Sequence, residues 1–106
     1  MKYEELFVEI LTVVSDVTSL SVVDILTSNR EECVDARHIL IYTLSVRGFS
    51  DCKIAELMKI TRPAVCMTRN SFKYRRKRYF VNLHYQEVYS LIFVSKEPVN
   101  DTVKKQ

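Results

Sequence analysis

Apolar residues recur along this chain at three- and four-residue spacing, the period of helices that bury one face. Tyr3, Phe7, Ile10, Val14 and Val17 form the first such stripe. Leu6, Leu11 and Val13 broaden it, and together they predict a core helix from Lys2 to about Val17. Glu4 and Glu5 fall in its first turn, where the positive end of the helix dipole favours carboxylates. Ser21 then stands as a natural N-cap with Asp24 three residues on. That pattern predicts a helix of two turns or fewer ending near Thr27, followed by a loop at Ser28-Asn29-Arg30. Ile39-Leu40-Ile41-Tyr42 is apolar around most of a helical circumference, so a helix from about Glu31 to Val46 is expected at the centre of a bundle. Arg47-Gly48 supplies its stop, with the single glycine of the chain where a left-handed residue is wanted.

Ser50 is suited to cap a fourth helix whose inward residues are Ile54, Ala55, Leu57 and Met58. Lys59-Ile60-Thr61 makes a turn, and Thr61 or Arg62 caps a fifth helix with Pro63 in its first turn, where a missing N–H does no harm. Val65, Phe72 and Tyr79 repeat every seven residues on the packing side of this fifth helix. From Tyr79 to Val94 a helix capped by Asn82 accounts for Leu83, Tyr85, Val88, Tyr89, Leu91 and Ile92. Leu91–Val94 suits a short strand equally by composition, but a lone strand has nothing to pair with, so helix is preferred. Ser95–Gln106, with Pro98 and three lysines, reads as a frayed, flexible tail. The expected fold is all-α, a five- to six-helix orthogonal bundle containing a helix-turn-helix. Residues 1–94 are expected to form a single domain, with 95–106 as its tail. With 106 residues the chain can bury one modest core, and one glycine with two prolines leaves little turn chemistry for a sandwich or barrel.

Charge changes the picture. Residues 1–50 carry four basic and eight acidic side chains, a net of −4, whereas residues 51–78 carry nine basic and two acidic, a net of +7. A positive end that coincides with a helix pair points to a polyanion. Cys33, Cys52 and Cys66 are an odd number without CxxC spacing, which fits reduced thiols and a cytoplasmic location. With His38 and His84 they match no metal-ligand spacing, and no cofactor is expected. Neither histidine has a neighbouring nucleophile or phosphate-cradling glycine loop, so no enzyme is expected. The longest apolar runs are far too short for a bilayer, and no membrane partner is expected.

The helix pair meets the packing demands of a DNA-binding helix-turn-helix. Ala55 is the small residue at the crossing, Ile60 tucks under it from the turn, and Val65 returns between the helices, five residues apart in each case. Ile54 and Met58 complete the wedge. Lys59 stands where a glycine is frequent. The outward residues at the start of the fifth helix, Thr61, Arg62, Pro63, Cys66, Met67 and Asn70, are then placed for base edges in the major groove of double-stranded DNA. Arg62 suits guanine O6 and N7, Asn70 suits adenine N6 and N7, and Pro63, Cys66 and Met67 offer apolar contact. Ser50, Arg69, Lys73, Arg76 and Lys77, with Arg75 and Arg78 in the same run, are assigned to phosphate.

From Ile10 to about Phe72 the chain resembles the C-terminal DNA-binding domain of the bacterial replication initiator DnaA, of the Trp repressor/DnaA-like helix-turn-helix superfamily. The likeness lies in SLSVVDIL (19–26), Arg30, VDARHILIYTL (34–44), SDCKIAELM (50–58) and TRPAV (61–65), in that order. The resemblance implies a nucleoid-associated bacterial regulator or replication-linked accessory, with Arg30 entering the minor groove. The family's Asp-His-Thr-Thr-Val signature falls on Thr61–Val65, where only Val65 is kept, so a different DNA sequence is expected. The loop at 28–32 has one base and two acids where the family is richly basic, and the ATPase motif GxxxxGK[ST] is absent. A competing reading is a protein-interaction adaptor on a retained DNA-binding fold. A homodimer through Tyr85, Tyr89 and Ile92 is a further expectation, although these residues equally suit closing the core over the first helix.

Overall fold

In the computed structural model, residues 2–94 are described, and the tail expected at 95–106 lies outside them. Six α-helices follow one another: α1 Tyr3–Thr18, α2 Val22–Thr27, α3 Glu31–Arg47, α4 Asp51–Met58, α5 Arg62–Arg75 and α6 Tyr79–Tyr89. A π-helical turn at Ser90–Val94 completes the order. The fold is an all-α bundle, with no strand among the described residues.

Hydroxyl caps open three of the helices. Ser21 Oγ accepts from the Asp24 N–H, Ser50 Oγ from the Lys53 N–H and Thr61 Oγ1 from the Ala64 N–H, each satisfying an amide the helix itself leaves unpaired. Left-handed residues close three helices: Ser19 (φ 61°), Gly48 (φ 113°) and Lys59 (φ 60°). Only at Gly48 does the sequence supply the residue that adopts such a conformation at low cost.

The centre is α3, which packs on each of the other five helices. Cys33, Ala36, Ile39, Leu40, Ile41, Thr43 and Leu44 are all buried, so the helix is enclosed on several sides. Leu6, Phe7, Ile10, Leu11 and Val14 of α1 cover one of them. Across another, Tyr42 stacks on Phe72 of α5 at 4.6 Å, and both rings meet Tyr85 of α6 edge-on at 5.5 and 5.3 Å. Ring pairs of this kind add about 0.5–1.5 kcal/mol each beyond the area they bury. Burial also pushes the Tyr85 phenol up to about 12, so it stays neutral. Arg37 ties the end of α2 to α3 by donating from Nε to the Ile25 carbonyl at 2.7 Å and from Nη2 to the Ser28 carbonyl at 2.5 Å.

The structure departs from the sequence expectation where α5 ends. Tyr79, expected on its packing side, is exposed and opens α6 instead. The chain leaves α5 at Arg75 through a tight turn in which Lys77 and Arg78 donate to the carbonyls three residues earlier. Arg75, the last residue of α5, and Arg78, in the turn, both reach Asp35. Val81 and Tyr85 then fill the core beside Phe72. Asn82 does not cap α6; its Oδ1 accepts from Arg76 Nε at 3.0 Å. Leu91–Val94 is helical, with Ile92 buried.

Candidate nucleic-acid interface

The turn between α4 and α5 is built around Lys59 in the left-handed conformation. The Ile60 N–H then reaches back to the Ala55 carbonyl at 3.1 Å, closing the end of α4. Ile54, Met58 and Val65 are buried, with Ala55 and Ile60 packed partly against the same core. A second brace comes from outside the wedge. Arg69 on α5 grips Asp51, the first residue of α4, through Nε to Oδ1 at 3.1 Å and Nη2 to Oδ2 at 2.9 Å. These bonds hold the Asp51 carboxyl below the usual carboxylate range and the Arg69 guanidinium above its own.

The residues assigned to base edges share one side of α5. Arg62, Pro63, Met67 and Asn70 are exposed and Cys66 is half-buried, while Thr61 spends its hydroxyl on the cap. Pro63, Cys66, Met67 and Asn70 line one open groove with Ser71 and Tyr74. Cys66 Sγ accepts from Asn70 Nδ2 at 3.4 Å and from Arg69 Nη2 at 3.6 Å.

The residues assigned to phosphate fall into two groups. Ser50 is exposed at the start of α4, and Lys73 and Lys77 are exposed with their ammonium groups over the Tyr74 ring at 5.2 and 5.5 Å. The arginines are held within the chain. Arg69 is on Asp51, and Arg76 lies 4.7 Å over the Tyr85 ring. Arg75 donates to Asp35 at 2.6 Å, and Arg78 reaches Asp35 at 3.2 Å and Glu31 at 2.6 Å. Arg62, Lys73 and Lys77 make no ion pair among the described residues.

Arg30 is the N-cap residue of α3, and its guanidinium faces Asp24 at 3.2 Å and Glu32 at 3.3 Å, all three exposed enough for water to compete. Tyr85 and Ile92 take the core-closing role that the sequence left open to them, and only Tyr89 retains substantial exposure. His38 on α3 is half-buried, and its buried Nδ1 has no hydrogen-bond partner among the described residues. Desolvation, with Arg75 nearby, lowers its pKa to about 4 against a smaller opposing effect of Asp35, so the ring is neutral at pH 7. Among the described residues no group of three or more His, Cys, Asp or Glu is placed to hold a metal ion, and no helix is long and apolar enough to cross a membrane.

Three participants escaped the sequence reading. Asp51 and Asp35 lie 18 and 40 residues from the arginines they hold, beyond any local periodicity. Tyr74 had a signal, since it stands seven residues after Met67 and four after Asn70 on the same helical side. A scan against protein-family models and searches of curated proteins and of solved structures return no match for this chain.

Proposed function

We propose that this chain is a sequence-specific double-stranded DNA-binding module acting through α4 and α5. One observation carries the proposal: a helix braced on its inner side by Val65, Phe72 and the Arg69–Asp51 pair leaves Arg62, Met67 and Asn70 exposed along its outer side, with Lys73 and Lys77, which make no ion pair among the described residues, beyond them. A rigid helix with donors at its N-terminal end and loose cations further along is what major-groove reading requires. Arg62 reads guanine and Asn70 adenine, Pro63, Cys66 and Met67 meet thymine methyls, and Lys73, Lys77 and the Ser50 end of α4 hold phosphate. The resemblance to the DnaA DNA-binding domain supports the same role, as a regulator or replication-linked accessory on the bacterial nucleoid, with Arg30 turned to the minor groove.

Enrichment of a random duplex pool on the purified protein tests this. A recovered consensus is expected, and Arg62→Ala should bind it about ten-fold or more weakly with relaxed preference at one position. Lys73→Ala should weaken all sequences alike. A pool that shows no enrichment over background would refute specific recognition.

A second reading, a protein-interaction adaptor, is favoured by one observation: Tyr79, Phe80, Leu83 and Leu91 of α6 and the turn after it are exposed. A protein partner retained after nuclease treatment would support it. Tight, sequence-selective duplex binding with no such partner would remove it.

A further inference from the structure

Three aromatic rings stand in solvent within seven residues of the α5–α6 corner. Tyr74 is 61% exposed, Tyr79 72% and Phe80 67%. Such rings carry the largest apolar surfaces in the chain, and leaving three at one corner forgoes their burial. Tyr74 has cationic company, whereas Phe80 also lines a cavity with Glu32, Asp35 and His84. Lys73 and Lys77 both place ammonium groups over the Tyr74 ring, at 5.2 and 5.5 Å, while Tyr79 and Phe80 meet edge to face at 5.0 Å. Phe80 is followed by the His84 ring at 6.4 Å.

The nearby acids do not cancel this charge. Glu31 and Asp35 are engaged by Arg75 and Arg78, and Glu32, beside Phe80, by Arg30, so the acids are matched by arginines and the two lysines beside Tyr74 add to the local potential. Tyr74 also borders a depression shared with Ser71, Arg75, Arg78 and Glu31, which runs from the end of α5 to Arg78, the residue before Tyr79 and Phe80.

The geometry points to a single-stranded nucleic-acid site at this corner, where unpaired bases stack on Tyr74, Tyr79 and Phe80 and Lys73 and Lys77 hold the flanking phosphates. Exposed aromatic rings interleaved with cations match the chemistry of an unpaired strand, in which each base has a π-face and each linkage a negative charge. A closed duplex offers no such faces, because its bases already stack on one another. No side chain of the cluster except the tyrosine hydroxyls carries a fixed polar pattern, so binding is expected to tolerate sequence. The site does not require base reading by Arg62 and Asn70, but it shares Lys73 and Lys77 with the proposed duplex site. The two meet at Tyr74, which ends the groove that begins at Pro63.

Fluorescence anisotropy of the full chain tests the site, using a labelled twelve-nucleotide oligo(dT) and a labelled hairpin duplex as separate probes. Oligo(dT) should bind at low salt. Tyr74→Ala, and separately Phe80→Ala, should each weaken it about ten-fold, and Phe80→Ala, which lies outside the groove of Arg62 and Asn70, should change duplex affinity less than about two-fold. Tyr74→Phe should keep affinity and Tyr74→Leu should not, which separates a flat stacking ring from simple apolar bulk. Circular dichroism melts of each variant should superpose on the parent, since all three rings are exposed. No oligo(dT) binding at low salt would overturn the proposal. So would retained affinity in Tyr74→Leu, or weakening by Lys73→Ala and Lys77→Ala alone. Loss of duplex binding with oligo(dT) binding intact would refute only the duplex proposal.

Discussion

The two sides of α5 differ less in composition than in what surrounds each residue. Both carry cations and both carry large apolar groups. On the inner side Phe72 is fully buried between Tyr42 and Tyr85, and Arg69 and Arg75 end on Asp51 and Asp35. On the outer side Met67 and Tyr74 face water, and Lys73 and Lys77 rest only on a tyrosine ring. A basic residue here is therefore a fastener, or is left without an ion pair among the described residues, according to whether another helix offers it an acid. Arginine, with a planar fork that takes a carboxylate by two bonds, serves as a fastener better than lysine, a flexible point charge.

The largest test of this division is Phe72→Ala against Met67→Ala. The first should cost about 3–5 kcal/mol in denaturant unfolding, by emptying a space between three helices, and the second less than about 0.5 kcal/mol. Equal losses would show that α5 has no inner and outer side. Next comes the fastening acid. Asp35→Ala, which strands Arg75 and leaves Arg78 only Glu31, should cost about 2 kcal/mol, while Lys73→Ala should leave the melting curve unchanged.

A third test uses His38, behind the inner side of α5. The groups that act on it are Arg75 of α5 and Asp35 and Arg37 of α3. Its folded pKa, about 4, lies below the unfolded 6.5, so the unfolded chain takes up the proton first. Its contribution is complete above pH 6.5 and is lost as pH falls toward 4. Because the ring is only partly shielded from water, the loss should be on the order of 1–2 kcal/mol, and a His38→Gln chain should not show it in parallel melts. The smallest effect concerns the turn that aims α5. Lys59→Gly, relieving a left-handed lysine, should raise stability by about 1 kcal/mol with no change of fold.

Much of this architecture was legible because its determinants are local. Ser21, Ser50, Thr61 and Gly48 each stand at a helix end, and a cap is a contract among residues three or four apart. The wedge of Ala55, Ile60 and Val65 was legible for the same reason. The end of α5 was not. The seven-residue rhythm of Val65, Phe72 and Tyr79 continued past the point where the backbone turned, and the carboxylate that holds the arginines on either side of that point lies some forty residues earlier. In the candidate interface the outward positions of α5 followed from helical spacing. Which cations remain unpaired did not, because the partners of the paired ones lie on α3 and α4.

Holding arginines inside the chain alters how a polyanion would respond to salt. A nucleic acid releases condensed counterions when phosphates are neutralised, and log K falls with log salt by about 0.9 for each phosphate covered. If Arg62, Lys73 and Lys77 are the groups that count, the slope is about −3, where all nine cations of residues 51–78 would give about −8. Most of the charge visible in the sequence would then contribute nothing to counterion release. Such a complex would persist at ionic strengths that strip a uniformly basic helix from its target.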